Sequence, residues 1–242
     1  MGLVRCFHTQ CWTPHFYLGG KVIVKGNLID CTDKCTIRIR EKSCILIKNN
    51  VIFNVYSENM LPDSYKDEKV VDYKDALIFP GLIDMHLHAP QFPFRGLGTD
   101  MELLDWLNTY TFPEEAKYKD IDYAKKAYTK FVESLKKSFT TRAIIFATLH
   151  KEATVLLMDL LEESGVKCFV GKVNMDRNSP ESLIESTDES VESTKEWLDI
   201  CKGKYKNTFP IITPRFIPSC SDKLLKELGK IRGCEYGLQS RC

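Results

Sequence analysis

The sequence predicts an α/β protein that contains the first half of a (β/α)8 TIM-type barrel, preceded by a small β-domain. From Ala76 onward, apolar runs with strand character alternate with amphipathic helical runs, which is typical of βα units around a parallel sheet. Residues 17–72 instead hold short β-type runs separated by turn residues. We therefore predict a β-sandwich-like domain over residues 1–75 and a half-barrel over residues 76–242.

The elements of the half-barrel follow one another in a regular order. The first strand is the run ALIFPGLIDMHLH, and a core-facing helix near residues 120–137 follows after a long connection. A second helix should end at Gly165, and a third should begin with a capping box of Ser186 and Glu189. The remaining elements are strands over 143–150, 166–175 and 209–216, a helix near 221–231, and a fifth strand beginning in EYGLQSRC. About four and a half units are therefore present, where a closed barrel needs eight strands.

Composition excludes several classes of function. The 34 lysines and arginines balance 33 acidic residues, so the basic excess of a phosphate-binding protein is missing. No apolar run is long enough to span a membrane, and the N-terminus lacks the apolar core of a signal peptide. We therefore expect a cytoplasmic location, no nucleic-acid or membrane partner, and ten cysteines that are reduced thiols rather than disulfides or a zinc site at Cys31 and Cys35.

The strongest candidate for chemistry is a pair of histidines at the end of the first barrel strand. His86 and His88 are two residues apart, so an extended strand places both imidazoles on the same face. At the carboxyl end of a barrel strand, that face is the catalytic mouth. Imidazole suits Zn²⁺, but a catalytic zinc normally needs three protein ligands. The pair alone therefore predicts half of a metal site.

The surrounding sequence resembles the amidohydrolase superfamily and, within it, the guanine deaminases. The run FPGLIDMHLHAPQF is similar to the first barrel strand of that superfamily, in which PGxxDxHxH contains two metal-binding histidines. Four further segments are similar to the guanine deaminases: LLDWLNTYTFPEEAKY, TTRAIIFATLH, FVGKVNMD and ITPRFIPSCS. The resemblance implies a zinc-dependent hydrolase that converts guanine to xanthine and ammonia in purine catabolism, and a homodimer.

The resemblance also implies roles for individual residues. His86 and His88 would be zinc ligands, and Gln91 and the Arg215-Phe216 pair would contact guanine, the small-molecule substrate. The implied substrate-binding set is His88, Ala89, Pro90, Gln91, Arg215 and Phe216. The side-chain chemistry agrees, because Gln91 offers both a donor and an acceptor and Arg215 offers a fixed fork of donors. Phe216 can press against a flat ring.

The family pattern also requires groups that these 242 residues do not contain. A third histidine followed by the general acid/base glutamate, a further histidine and an aspartate are missing, and Arg241 stands where the third ligand is expected. A gapless alignment puts Cys242 there instead. We therefore expect a truncated form with little or no activity. The alternatives are a non-enzymatic product that associates with full-length subunits and another amidohydrolase that acts on a related ring.

Overall fold

The computed structural model describes residues 4–6, 20–32, 36–49 and 51–241, so Cys35 and Cys242 lie outside the described residues. The chain divides into two compact units, Met1–Leu82 and Ile83–Cys242. The domain boundary predicted from the sequence lies at residues 75–76. Within the described ranges, no helix combines the length and the apolar character needed to cross a bilayer.

The first unit is built on one five-stranded sheet. Its strands are β1 (Val4–Cys6), β2 (Lys21–Cys31), β3 (Ile37–Lys48), β4 (Val51–Ser57) and β5 (Lys69–Pro80), in the order β1-β5-β2-β3-β4. Side chains alternate across a strand, so the apolar residues of this sheet form one small cluster on each face. One cluster lies around Val24 and Ile45, and the other lies around Ile23 and Leu46. All described strands of this unit lie in one sheet, so a sandwich of two sheets stays a prediction.

One prediction about the chain between residues 76 and 88 is wrong. The run ALIFPGLIDMHLH is not one barrel strand, because β5 ends at Pro80 and a new strand, β6 (Leu82–His88), follows Gly81. β5 pairs within the five-stranded sheet, whereas β6 belongs to a second sheet. Proline has no N–H to donate to a ladder, which explains why the first strand stops there.

The second unit has the alternating βα pattern that the sequence predicts. Its four-stranded sheet has the order β10-β8-β7-β6 and includes β7 (Thr140–Phe146), β8 (Lys167–Gly171) and β10 (Thr208–Pro210). β8 pairs in parallel with both β7 and β10. A parallel pair, β9 (Val173–Asn174) with β11 (Thr213–Pro214), forms a further two-stranded sheet. This arrangement confirms the α/β class and the parallel sheet.

The helices of this unit are α1 (Leu103–Trp106), α2 (Phe112–Ala116), α3 (Ile121–Lys137), α4 (Lys151–Ser164), α5 (Thr187–Cys201) and α6 (Asp222–Arg232). The predicted helix ends are confirmed. α4 ends at Gly165, which has the left-handed φ of 72° that glycine tolerates. α5 begins with the reciprocal capping box of Ser186 and Glu189. Helices α3 to α6 pack their apolar faces on the parallel sheet and form the main core.

The third and fourth predicted barrel strands are each interrupted. Lys172 separates β8 from β9, and its fully buried ammonium lies 3.0 Å from Glu185 Oε2. The predicted fifth strand is represented among the described residues by two isolated parallel bridges, Ile212 with Leu238 and Phe216 with Arg241. These bridges bring residues 238–241 beside the carboxyl ends of the preceding strands.

Candidate functional site

The two histidines meet at the carboxyl end of β6, as the sequence predicts. The Nε2 atoms of His86 and His88 are 3.3 Å apart. Phe146, the last residue of β7, supports both rings, since His88 stacks on it with centroids 4.4 Å apart and His86 contacts it edge-on at 5.0 Å. Phe146 itself is fully buried. The buried Phe146 ring therefore packs against both imidazoles and supports their relative orientation.

The environment of His88 favours its neutral form. Burial lowers the pKa of His88 well below its usual value, and the positive charges of Arg215, His86 and Arg241 lower it further. A neutral imidazole keeps a bare ring nitrogen, and that nitrogen is the atom that binds a metal. His88 is therefore in the ligand form around neutral pH.

A cavity of about 830 Å³ opens in front of the histidine pair. Its wall includes His86, His88, Gln91, Trp106 and Arg241. Trp106 donates a hydrogen bond from its indole nitrogen to the Leu97 carbonyl at 3.0 Å, which fixes the ring at the edge of the cavity. Apolar side chains make up much of the remaining wall, namely Leu87, Phe92, Phe94, Leu103 and Phe131. A cavity with flat apolar surfaces and a few polar groups suits a small heteroaromatic ring.

A buried ion pair lies behind one wall of the cavity. Arg215 follows β11, and its guanidinium makes a bidentate pair with Glu115 of α2, with Arg215 Nη2 3.0 Å from Glu115 Oε1. The two side chains are only 5% and 2% exposed. Gln91 Nε2 reaches the same carboxylate oxygen at 3.5 Å. Glu115 thus connects the two residues that the resemblance assigns to base recognition.

The turn that carries Gln91 is held by the segment that carries Glu115. Ala89 and Pro90 are buried in a 3₁₀ turn, Ala89–Phe94, directly after β6. The hydroxyl of the buried Tyr118 donates to the Pro90 carbonyl at 3.4 Å. The chain around residues 112–118 therefore anchors this turn at its backbone as well as at the Gln91 side chain.

Other residues assigned from the sequence lie close to the cavity or in its wall. Phe216 is half-buried beside the cavity wall, and its backbone forms a bridge with that of Arg241. Arg215 does not line the cavity directly but lies behind Gln91. The substrate contacts of Arg215 and Phe216 stay predictions.

The histidine pair fits two positions of a zinc site. Two nitrogens bound to one tetrahedral zinc at about 2.0–2.1 Å lie about 3.3–3.4 Å apart, and the Nε2 atoms are separated by 3.3 Å. Among residues 20–32, 36–49 and 51–241, however, no third histidine, cysteine or carboxylate joins the pair in a possible metal cluster. Arg241 lines the cavity instead, and a guanidinium has no lone pair to offer a metal.

Sequence reasoning missed two residues of this site. Glu115 stands in the segment that carried part of the resemblance, but nothing local distinguishes it from its neighbour Glu114. Phe146 ends a strand where buried aromatic residues are common. A buried guanidinium needs a carboxylate partner, but the burial of Arg215 is visible only in the structure, so no signal in the sequence points to Glu115.

The comparison with protein families decides the family of the chain. Residues 77–232 match the amidohydrolase family model. The chain belongs to the amidohydrolase family. The matched region contains the histidine pair, Gln91, Glu115 and Arg215, so the described cavity is that of an amidohydrolase.

Several relatives of this amidohydrolase are guanine deaminases. The chain is 44% identical to guanine deaminase of Dictyostelium discoideum over 168 residues, which is 69% of this chain and 37% of the relative. It is 41% identical to the probable guanine deaminase of Schizosaccharomyces pombe over 220 residues, which is 85% of this chain and 41% of the relative.

A solved structure matches the fold closely. The crystal structure of guanine deaminase from C. acetobutylicum, with guanine bound in its active site, superposes with a TM-score of 0.85 at 44% identity, covering 91% of this chain and 52% of that one. The described fold is therefore part of a barrel of this type. The chain spans about two fifths of the length of these curated relatives and about half of the solved chain.

Proposed function

We propose that this chain provides the guanine pocket and two zinc ligands of a guanine deaminase, a cytoplasmic, homodimeric enzyme of purine catabolism that converts guanine to xanthine and ammonia. The observation that carries this proposal is that His86, His88 and Gln91 converge on one cavity of about 830 Å³. The similarity to a guanine deaminase whose structure holds guanine supports the choice of base.

His86 and His88 would hold the zinc ion. When bound in a complete ligand set, zinc lowers the pKa of a coordinated water so that hydroxide is available near neutral pH. The residues of this chain act on the base: the apolar wall excludes water, and Gln91 forms hydrogen bonds to its polar edge. Phe216 would complete the recognition by contact with the ring. Arg215 lies behind Gln91 and would donate to the base only from N–H groups that Glu115 does not occupy.

Binding of the base and its hydrolysis are expected to separate in this chain. The described residues place no third ligand and no carboxylate with the histidine pair. We therefore expect guanine to bind while ammonia release by the isolated chain stays at background, because zinc water activation needs the cation in a complete cage.

Equilibrium dialysis with radiolabelled guanine, adenine and a triazine tests the proposal, together with an ammonia assay on the zinc-loaded chain. Saturable binding of guanine in preference to the other rings supports the proposal. Preference for adenine or the triazine would instead support an amidohydrolase acting on a related ring. Ammonia release from guanine well above background would confirm the reaction and contradict the incomplete metal site.

A further inference from the structure

We propose that Glu115 is a positioning residue of this cavity. Held by its ion pair with Arg215, it orients the Gln91 amide so that the carbonyl oxygen faces the cavity, and this acceptor selects a purine that carries a ring N–H beside the amino group to be removed. The inference rests on the proposed purine-binding function. It adds two points to that function: Glu115 orients the Gln91 side chain, and the Gln91 amide oxygen distinguishes between the bases.

The position of Glu115 is fixed by its partner. Both of its carboxylate oxygens accept hydrogen bonds from the Arg215 guanidinium, and both side chains are almost completely buried. Bidentate pairing of this kind is strong and geometrically specific. The Arg215 guanidinium also lies 5.3 Å from the centroid of the Phe112 ring, which limits its movement. The carboxylate is therefore a rigid acceptor behind the cavity wall.

A rigid carboxylate determines which way the Gln91 amide points. A carboxylate has no proton to donate, so only the amide nitrogen of Gln91 can face it favourably. The observed contact is of this kind, with Gln91 Nε2 donating to Glu115 Oε1 at 3.5 Å. The amide oxygen lies on the other side of the same group and makes no hydrogen bond to any residue that the structure describes. Since Gln91 lines the cavity, this oxygen is available to a ligand.

A free carbonyl oxygen discriminates between purine bases. With its exocyclic amino group directed at the histidine pair, guanine presents the adjacent N1–H to the oxygen. Adenine placed in the same way presents the lone pair of N1 there, because its own amino N–H groups point at the histidines. A polar group left unsatisfied at a desolvated contact lowers affinity by about tenfold or more. The orientation of one amide therefore favours guanine over adenine.

The neighbouring residue provides a matched control. Glu114 lies in the same short helix and is also buried, but its carboxylate pairs with the Tyr123 hydroxyl and with Lys117. The structure shows no hydrogen bond from Glu114 to Gln91 or Arg215. Replacement of either glutamate by glutamine removes one negative charge from the same helix, but only the replacement of Glu115 changes the group that Gln91 contacts.

The experiment compares Glu115→Gln, Glu114→Gln and Gln91→Leu in the full chain, using dialysis with guanine and adenine and circular dichroism to verify folding. In Glu115→Gln the new amide can accept from or donate to Gln91, so the Gln91 amide is free to rotate. We expect the ratio of guanine to adenine affinity to fall by at least about tenfold in Glu115→Gln and in Gln91→Leu. Glu114→Gln should keep the wild-type ratio.

A second measurement follows the positioning without any ligand. In nuclear magnetic resonance spectra of protein labelled with ¹⁵N-arginine, a guanidinium held in a bidentate pair gives resolved, slowly exchanging Nη–H signals. We expect such signals for Arg215 in the wild-type chain and in Glu114→Gln, and their loss in Glu115→Gln. A Gln91 side-chain signal that shifts in Glu115→Gln, and not in Glu114→Gln, would link the pair to the amide.

The outcomes separate this inference from the proposed function. If the wild-type chain binds guanine selectively but Glu115→Gln and Gln91→Leu keep the ratio, the inference is wrong and the function stands. An equal loss of affinity for both bases in Glu115→Gln would also contradict it, because that is the effect of a purely structural role. If the wild-type chain binds neither base, both are overturned. If Glu115→Gln does not fold, Glu115→Asp takes its place, because it keeps the charge for Arg215 but shortens the reach to Gln91; an unchanged affinity ratio in Glu115→Asp would contradict the inference.

Discussion

The two sides of the cavity differ in how far their own polar groups satisfy one another. On the proposed base side, the buried cation Arg215 and the buried anion Glu115 pair with each other, and Gln91 donates to the same carboxylate. On the histidine side, the Nε2 atoms of His86 and His88 face each other at 3.3 Å, with no carboxylate or third ligand joining them among the described residues.

The ion-paired group and the histidine pair therefore lie in different parts of the site. The base side is assembled from residues 91–215, all of which lie within the described part of the chain. The histidine side supplies an oriented pair of donors and, next to it, the cation Arg241. A self-sufficient base side should lose stability when its ion pair is broken, and an incomplete histidine side should gain zinc affinity when a third imidazole is added.

The largest effect should come from breaking the buried ion pair on the base side. Arg215→Met leaves the Glu115 carboxylate buried without its partner, and this should lower the free energy of unfolding by about 3–5 kcal/mol. The double variant Glu115→Met with Arg215→Met removes both charges and should regain much of that loss. Urea denaturation followed by circular dichroism measures both. A double variant as unstable as Arg215→Met would contradict a closed pair.

Removal of a single imidazole tests the histidine side. His86→Ala or His88→Ala should weaken zinc binding by at least about tenfold, because even outer partners of metal ligands affect affinity by 10–100-fold. Competition with a chromogenic chelator gives the affinities. His150→Asn is the matched control, since His150 does not line the cavity. Equal zinc affinity in all three variants would rule out the pair as the binding site.

Arg241 provides a test in the opposite direction. Arg241→His replaces a cation in the cavity wall with a third imidazole, so zinc affinity should rise and should then depend on all three histidines. The same chelator competition measures the gain. Arg241→Lys keeps the charge and serves as the control. No gain in Arg241→His would show that position 241 cannot reach the pair.

The smallest effect concerns a histidine outside the cavity. Burial, with the positive charges of Lys119 and Lys172, lowers the pKa of His150 to about 4 from its usual 6.5. The unfolded chain therefore takes up a proton at a higher pH than the folded chain, so the stabilising contribution present above pH 6.5 is lost as the pH falls towards 4. Because the ring is only partly buried, we expect about 1 kcal/mol.

Thermal unfolding at pH 7.5, 6 and 4.5 checks this expectation. The loss of stability between pH 7.5 and 4.5 should be smaller in His150→Asn than in the wild-type chain, since the variant has no imidazole to protonate at that position. Parallel curves for the two proteins would show that His150 does not titrate with a lowered pKa.

Local sequence patterns were sufficient for the four long helices, α3 to α6, and for the histidine pair. The apolar spacing in residues 120–137 predicted a core-facing helix, and the side chains at Ala124, Ala127, Tyr128, Phe131, Val132 and Leu135 are buried. The capping box at Ser186 and the glycine at position 165 gave the helix ends. The two-residue spacing of His86 and His88 gave their common face. All of these depend on hydrogen bonds and periodicities within a few residues.

Local patterns failed where the choice depends on a partner strand. Residues 76–83 are almost entirely apolar, so their periodicity cannot show that β5 pairs in one sheet and β6 in another. β3 is one of the β-type runs predicted within residues 17–72, and Ile37 and Ile39 alternate there with arginines, but both isoleucines are more than 60% exposed. Alternation defines two faces of a strand, and only packing decides which face is covered.

By itself, the sequence determined the α/β class, the order of the helices, the shared face of the two histidines and, through the motif around them, the amidohydrolase family. Only the tertiary structure decided that Glu115 pairs with Arg215, 100 residues further along the chain, and that Phe146 lies beneath the imidazoles. The physical reason is that a buried charge takes as its partner whatever the fold brings within hydrogen-bonding distance. Residue spacing along the chain carries no record of that choice.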